Sequence, residues 1–510
     1  MSEQPVIYRV GSLSYTKPKL AVLFCWLLWG DFCYMLMETV VPSILPLKFR
    51  HLGADNMSIG LIMTTLPMII NTVLNPIISF KSDRYRSRWG RRIPFILFTM
   101  PILVVLLLGV GFADKIGVNI YSWMGGITGA PEGHNFALDW VAMKVNALTP
   151  KEFAIIMIGI MMVLFSIVNT FVNSVFWYLF NDVVPEHLLA RFMSWFRLVI
   201  TLSASFYNFF IFQYAESHAT EIFIGGAILY FVGFGLMCLN VKEGTYPPSP
   251  PLVPGSSPLV AAFKTFGKEC HSLPHYWYVF LLGMSFAAAN AIGPFGLLFS
   301  LSLGLDLKMI GILGGVGSIA GSVTILISGW LADRYHPIRI VLWGVVAQIV
   351  LALPVACIWI FWKPEPHVIF WISIVTSITL GAPIGAMIGV LDPPMFMRIF
   401  PRERYGQFCS ANAMWRSISL IISGSLAGVF LDVLGKKVSK EQAYCYLPVW
   451  QLVFMILMLY FMTKLYKSWK EYGGDDHYVA VVPDFVKDKE EEESVRTLAQ
   501  FPDDRTRPIL

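Results

Sequence analysis

Charged residues are scarce in this chain. Of its 510 residues only 14% are Asp, Glu, Lys or Arg, while 56% are hydrophobic and 15% aromatic. Soluble globular domains carry about 25% charged residues, so a water-soluble fold is excluded. Any CxxC pair is also lacking. The 7 cysteines (Cys25, Cys33, Cys238, Cys270, Cys357, Cys409, Cys445) are scattered and odd in number, which reads as small core residues and excludes a disulfide framework or zinc site. Histidines are missing from the middle of the apolar runs. His271 and His275 are four apart but flank Pro274, a poor setting for a metal pair. No nucleophile–base set emerges, so neither an enzyme nor a bound cofactor or metal is expected. The formal charge of +5 is small and calls for no nucleic-acid partner.

What the chain has instead is long apolar runs. A span takes about 20 residues, and runs of that length lie near 20–46, 57–80, 93–113, 152–180, 192–214 and 219–241, then 276–303, 308–331, 338–362, 367–391, 408–433 and 444–466. The expectation is an all-α membrane protein with twelve transmembrane helices in two six-helix bundles. The first run carries Asp31 and Glu38 and is too long for a cleavable signal peptide. Residues 1–19 read as a polar tail, 20–241 and 276–468 as the bundles, and 469–510, with Lys489 and Glu490–Glu493, as an acidic solvated tail. Between the bundles, 242–275 contains TYPPSPPLVPGSSP, which cannot continue a helix and reads as an extended spacer.

One connection stands out. Residues 81–92 hold Lys81, Arg84, Arg86, Arg88, Arg91 and Arg92 together with Asp83 and Gly90. Basic loops stay on the cytosolic side, and an even number of spans then puts both termini there, in a plasma (inner) membrane. The bland reading of this loop is topogenic charge. Against it, Asp83-Arg84-Tyr85 is echoed by Asp333-Arg334-Tyr335. Pro185 with Arg191-Phe192-Met193-Ser194 is likewise echoed by Pro401 with Gln407-Phe408-Cys409-Ser410 at the same internal spacing. The halves read as a repeat, with one Gly-rich insertion at 114–151 on the outer side. Two repeats joined by a linker suggest rocking around a midplane site, with Asp83, Arg84, Arg88, Gly90, Arg91, Arg92, Asp333 and Arg334 forming a cytosolic gate.

An ionised side chain at mid-membrane costs about 2.5–3.5 kcal/mol on insertion scales, so each one needs a reason. Asp31 sits mid-span, Glu38 follows at i+7 on the same face, and Arg197 lies inside the fifth span. Asp31 and Arg197 are the obvious pair. A structural salt bridge is the plainer reading, and a hydroxyl-binding site wants the same groups. Asn71 and Asn75 share a face of the second span, and Asn169, Asn173 and Trp177 share a face of the fourth. Interhelical amide glue is the bland alternative. Trp177 beside Asn173 suits a sugar, whose apolar face stacks on an aromatic ring while amides bind its edge. Asp182 and Asp392 close the fourth and tenth spans and read as gate or cap residues at the cytosolic surface.

The run SDRYRSRWGRRIPF after Asn75-Pro76-Ile77-Ile78 resembles the glycoside–pentoside–hexuronide:cation symporters of the major facilitator superfamily. It is especially similar to their plant-type sucrose transporter relatives. The resemblance implies the major facilitator fold. It casts Asp31, Asn173, Trp177 and Arg197 as sugar-binding residues and places cation coupling at Asp31, Glu38, Asn71 and Asn75. Sodium-coupled members carry aspartates where Asn71 and Asn75 stand, so the implied coupling ion is a proton ahead of sodium. The expected protein is a monomeric secondary active transporter that imports a sugar or glycoside. A uniporter or exporter of another amphiphile, or a membrane sensor that kept the fold, are the rivals.

Overall fold

The structure, a computed structural model, describes residues 7–127, 148–245, 270–362, 364–401, 405–474 and 478–480. The Pro-rich stretch of the linker, the centre of the 114–151 insertion and the acidic end of the chain lie outside the described residues, as do the side chains of Asp83, Arg84 and Asp333.

The chain is nearly all helix. In the first half α1 is Lys17–Leu52, α2 56–84, α3 Ile93–Ile127, α4 Pro150–Val183, α5 186–214 and α6 Ala219–Asn240. The second half follows as α7 Pro274–Ser302, α8 Leu307–Arg334, α9 Pro337–Trp362, α10 366–399, α11 Tyr405–Gly435 and α12 Lys440–Glu471. Among the described residues 11 of these are long and apolar enough to cross a membrane by length and composition. The remaining one, α10, is helical throughout but is divided by a π-turn at Ser377–Gly381. The expected all-α membrane architecture is therefore observed.

Local chemistry sets the helix ends. Gly53 closes α1 with φ +78° and donates its N–H to the Arg50 carbonyl, a left-handed position that favours glycine. Asp55 caps α2 by accepting from Ser58 N at 3.1 Å. Asp306 caps α8 by accepting from Met309 N at 2.7 Å. These caps satisfy backbone donors that a helix start leaves unpaired. A π-turn adds one residue to a helix and rotates the face beyond it, and such turns often mark functional positions. Two of them, Leu61–Thr65 in α2 and Tyr207–Ile211 in α5, lie where the halves meet.

The beginning of the chain departs from the sequence reading. Ile7–Val10 and Leu13–Thr16 pair as an antiparallel hairpin, where composition suggested a polar tail. Ser12 at its turn accepts from Thr245 N at 2.7 Å, fastening it beyond the end of α6. The Tyr15 hydroxyl is buried, and that burial pushes its pKa up to about 12.

A first core cluster fills α1–α6 and takes in Phe295 and Leu298 of α7 and Leu431 of α11. A second cluster joins α7, α9, α10, α11 and α12. The halves meet at the end remote from the basic loop. There α2 packs on α11 with no room to spare, because a Cβ on Gly60 would strike the Gly424 carbonyl and one on Gly428 the Asn56 carbonyl. Likewise α5 packs on α8, where a Cβ on Gly311 would strike the Asn208 carbonyl. Thr65 Oγ1 donates to the Ile421 carbonyl at 2.9 Å, and Ser322 Oγ donates to Thr201 Oγ1 at 2.6 Å.

Candidate functional site

Three polar groups of α1 and α4 converge inside the first half. Glu38 Oε1 accepts from Asn169 Nδ2 at 3.2 Å, and the Tyr34 hydroxyl lies 3.4 Å from the same oxygen and 3.0 Å from Asn169 Oδ1. The single phenolic proton serves one acceptor at a time. The amide and the phenol can therefore rearrange as the carboxyl gains or loses a proton. Glu38 is half-buried and Tyr34 fully buried, with Tyr34 held among Phe176, Tyr230 and Phe234 by ring contacts of 6.0, 6.1 and 5.8 Å.

Asn173 and Trp177 continue the Asn169 face of α4 at intervals of four. Asn173 Oδ1 is buried without a hydrogen-bond partner among the described residues. Trp177 is exposed on one side and meets Phe180 and Phe196 edge-on at 6.0 and 4.9 Å. Asn75 is tied to α4 by Ser174 Oγ at 2.8 Å and Tyr178 OH at 3.4 Å, while Asn71 is exposed.

The expected pairing of Asp31 with Arg197 is not formed in this state. Asp31 is fully buried with both carboxyl oxygens unpartnered among the described residues, and Arg197 is exposed. The reason is helix rotation. Residues 201, 205 and 208 of α5 face α8, which carries Arg197 towards the second half, whereas Asp31 turns into the core of the first.

At the basic loop the arginines are clamped to their own half. Arg91 and Arg92 reach Asp182 at the end of α4, at 2.5 and 3.0 Å. Glu243, just after α6, accepts from the backbone N–H groups of Arg91, Arg92 and Ile93 at 2.9, 2.8 and 2.5 Å. A carboxylate on these orphan amides at the α3 start is well placed. Gly90 has φ +105°, and a Cβ there would collide with the Glu243 side chain, so the turn needs glycine twice over. Arg88 is exposed, and Arg334 lies over the Tyr335 ring at 5.8 Å. The gate side chains Asp83, Arg84 and Asp333 fall outside the described residues. Glu243 escaped the sequence reading because it follows an apolar run and precedes the linker, with no spacing that points to α3.

The second half contains a feature the sequence reading placed elsewhere. Asp392 does not sit at the surface. It is buried, and Arg416 Nη2 donates to its Oδ2 at 2.5 Å. The insertion-cost argument that singled out Arg197 applies equally to Arg416, which lies well inside its apolar helix Tyr405–Gly435.

This is the architecture of a membrane carrier built of two helical halves, each of which buries polar groups among its own helices. The sequence matches the Major Facilitator Superfamily over residues 27–424, and the chain belongs to that family. Among curated proteins no sequence matches. Solved structures with the same fold include the nucleoside transporter NupG (TM-score 0.63, 13% identity, 87% of this chain and 100% of that one). Another is a bacterial homologue of the human lysosomal transporter Spinster, inward-facing and unoccupied (TM-score 0.62, 14% identity, 90% and 99%). A bacterial homologue of the iron transporter ferroportin gives a TM-score of 0.56 in its inward-facing state, at 15% identity over 88% and 99% of the two chains. In its outward-facing state the score is 0.50.

Proposed function

We propose that this major facilitator carrier couples movement of a proton to uptake of a sugar or glycoside by alternating access. The observation that carries the reading is the single face of α4. Asn169 holds Glu38 at one level, and Asn173 and Trp177, one and two turns along, leave an unpaired amide oxygen and an open indole face. The hydrogen-bond partner of the proton group and the ring-binding group thus share one helix, so loading one alters the packing that the other feels. The halves meet at the end remote from the basic loop, and the ferroportin homologue fits better in its inward-facing state. Both support an inward-facing state with the basic loop in the cytosol of a cell whose plasma membrane holds the carrier.

Proteoliposomes containing the full chain test this with radiolabelled sucrose, melibiose, galactose and uridine, with a proton gradient imposed or collapsed. Accumulation of a sugar that collapses with the gradient and ignores sodium is expected. Uridine is included because NupG is a nucleoside transporter, and a nucleoside offers the same flat face and hydroxyl edge. Gradient-insensitive equilibration would establish a uniporter, uptake of uridine alone would displace the sugar reading, and binding without counterflow would support a sensor.

A further inference from the structure

The second half carries a polar cluster that the α4 site does not use. Arg416 of α11 donates to Asp392 of α10, and its guanidinium carbon lies 5.5 Å from the Phe286 ring centroid on α7. Three helices thus fix one guanidinium. Gly283 of α7 makes the room, since a Cβ there would stand 3.2 Å from Arg416 Nε and 2.7 Å from Asn412 Oδ1.

The cluster is not self-sufficient. Asp392 is 5% exposed and Asn412 3% exposed, yet Asp392 Oδ1 and Asn412 Oδ1 have no hydrogen-bond partner among the described residues. A guanidinium has five N–H donors, and the Arg416 side chain remains 26% exposed beyond its one bond to Asp392. A buried ion pair with groups left unsatisfied contributes little stability compared with apolar packing, so a purely structural tie between α10 and α11 is a poor account of it. Depth adds a second argument. Arg197 stands 12 residues after Pro185 and Arg416 15 residues after Pro401, the two prolines that match between the halves. At about 1.5 Å per helical residue the two differ by about 5 Å in level, so each half presents one guanidinium at a similar depth.

We propose that Arg416 is the solute-contacting residue of the second half, donating to oxygen acceptors of the transported molecule, with Asp392 as its positioning residue. Hydroxyl and carboxylate oxygens both satisfy such donors, and the planar fork, which lysine lacks, sets the geometry. The proposal rests on the carrier reading above and adds to it a second hand on the solute.

The test uses the full chain in proteoliposomes and counterflow of radiolabelled sucrose, melibiose, galactose and glucuronate. Arg416→Lys is expected to raise half-saturation about 10-fold or more, with maximal exchange and folded yield near those of the parent. Asp392→Asn shifts half-saturation in the same direction by a smaller factor. Loss across the neutral sugars identifies hydroxyl recognition, and loss confined to glucuronate identifies a carboxylate. Unchanged half-saturation in Arg416→Lys overturns the proposal, as does full recovery of exchange by the swap Asp392→Arg with Arg416→Asp. A second arm is independent of the sugar reading. Arg416→Cys combined with Asp392→Asn, in a background with Cys25, Cys357 and Cys409 changed to serine, is exposed to a membrane-impermeant methanethiosulfonate. Labelling supports the placement of position 416 on the water-filled path, and absence of labelling overturns it. If no tested sugar exchanges, the sugar reading fails and this arm alone decides.

Discussion

Asp432 of α11 caps α2 across the boundary between the halves, its Oδ1 accepting from Asn56 N at 3.0 Å and Asn56 Nδ2 at 2.8 Å, and its Oδ2 from Met57 N at 2.9 Å. Tyr444 OH donates to Asn56 Oδ1 at 2.6 Å, and Lys440 Nζ to the Ala54 carbonyl at 2.7 Å. A helix start in one half is thus completed by a carboxylate from the other. Separating the halves at this end strips Asp432 from the Asn56 and Met57 amides and leaves α2 with Asp55 as its cap. Removing a cap costs about 1 kcal/mol, so Asp432→Ala should shift the closed–open balance at this face roughly 5-fold towards open. Distance measurements between spin labels on α2 and α11 will read the shift, and an unaltered distribution would show that the glycine contacts alone hold this end closed.

Those glycine contacts give a harder block. Gly428→Leu places a side chain where the Asn56 backbone lies, and main chain cannot yield cheaply in a close-packed contact. The variant should reach the membrane folded yet fail to close this end. Its counterflow should fall at least about 10-fold, in keeping with the cost of overpacking. Normal counterflow would mean that the α2–α11 contact is not part of the working cycle.

The proposed proton role of Glu38 can be tested apart from translocation. Glu38→Gln keeps a partner for Asn169 and Tyr34 but cannot release a proton. Gradient-driven accumulation is expected to vanish while counterflow continues, because exchange needs no net proton movement. Tyr34→Phe removes one weak hydrogen bond, about 0.5–1.5 kcal/mol, and should slow driven uptake by only a few-fold. Accumulation by Glu38→Gln at the parental level would move the proton site elsewhere, with Asp31 the next carboxyl to test.

The proposed stacking role of Trp177 is open to a direct test. Trp177→Phe should raise half-saturation a few-fold and Trp177→Ala more strongly, about 10-fold for the loss of 1–2 kcal/mol of aromatic contact. A quench of intrinsic fluorescence on adding sugar, absent in Trp177→Phe, would place the ligand directly.

At the opposite end Glu243→Gln removes the charge from the three backbone donors at the start of α3. The basic loop meets α4 at Asp182 and Tyr178, beyond Trp177 along the helix, and Glu243 holds the loop's backbone, so maximal transport is expected to drop several-fold with half-saturation changed far less. The expectation follows from an altered state balance. A change confined to half-saturation would contradict that separation.

Much of this protein was settled by the sequence alone. Run lengths and scarcity of charge dictate a polytopic helical membrane protein, because unpaired backbone and charge are too costly in hydrocarbon for any alternative. The basic run 81–92 and its Asp333-Arg334 echo mark corresponding connections. Mid-span cost draws the eye to Asp31, Glu38 and Arg197, and spacing places Asn169, Asn173 and Trp177 on one face. Rotation and register lay beyond its reach. Which way Asp31 turns, that Arg197 leaves it unpaired, and that Glu38 meets Asn169 depend on how each helix packs and where π-turns reset its face. Local sequence carries no record of a partner 131 positions away. The Thr245–Ser12 contact that fastens the Ile7–Thr16 hairpin, the Glu243 cap on α3, the Asp432 cap on α2 and the Asp392–Arg416 pair were decided by tertiary structure for the same reason. Each joins segments distant in the chain through groups whose isolated chemistry fits many partners, and only the packed helices select one.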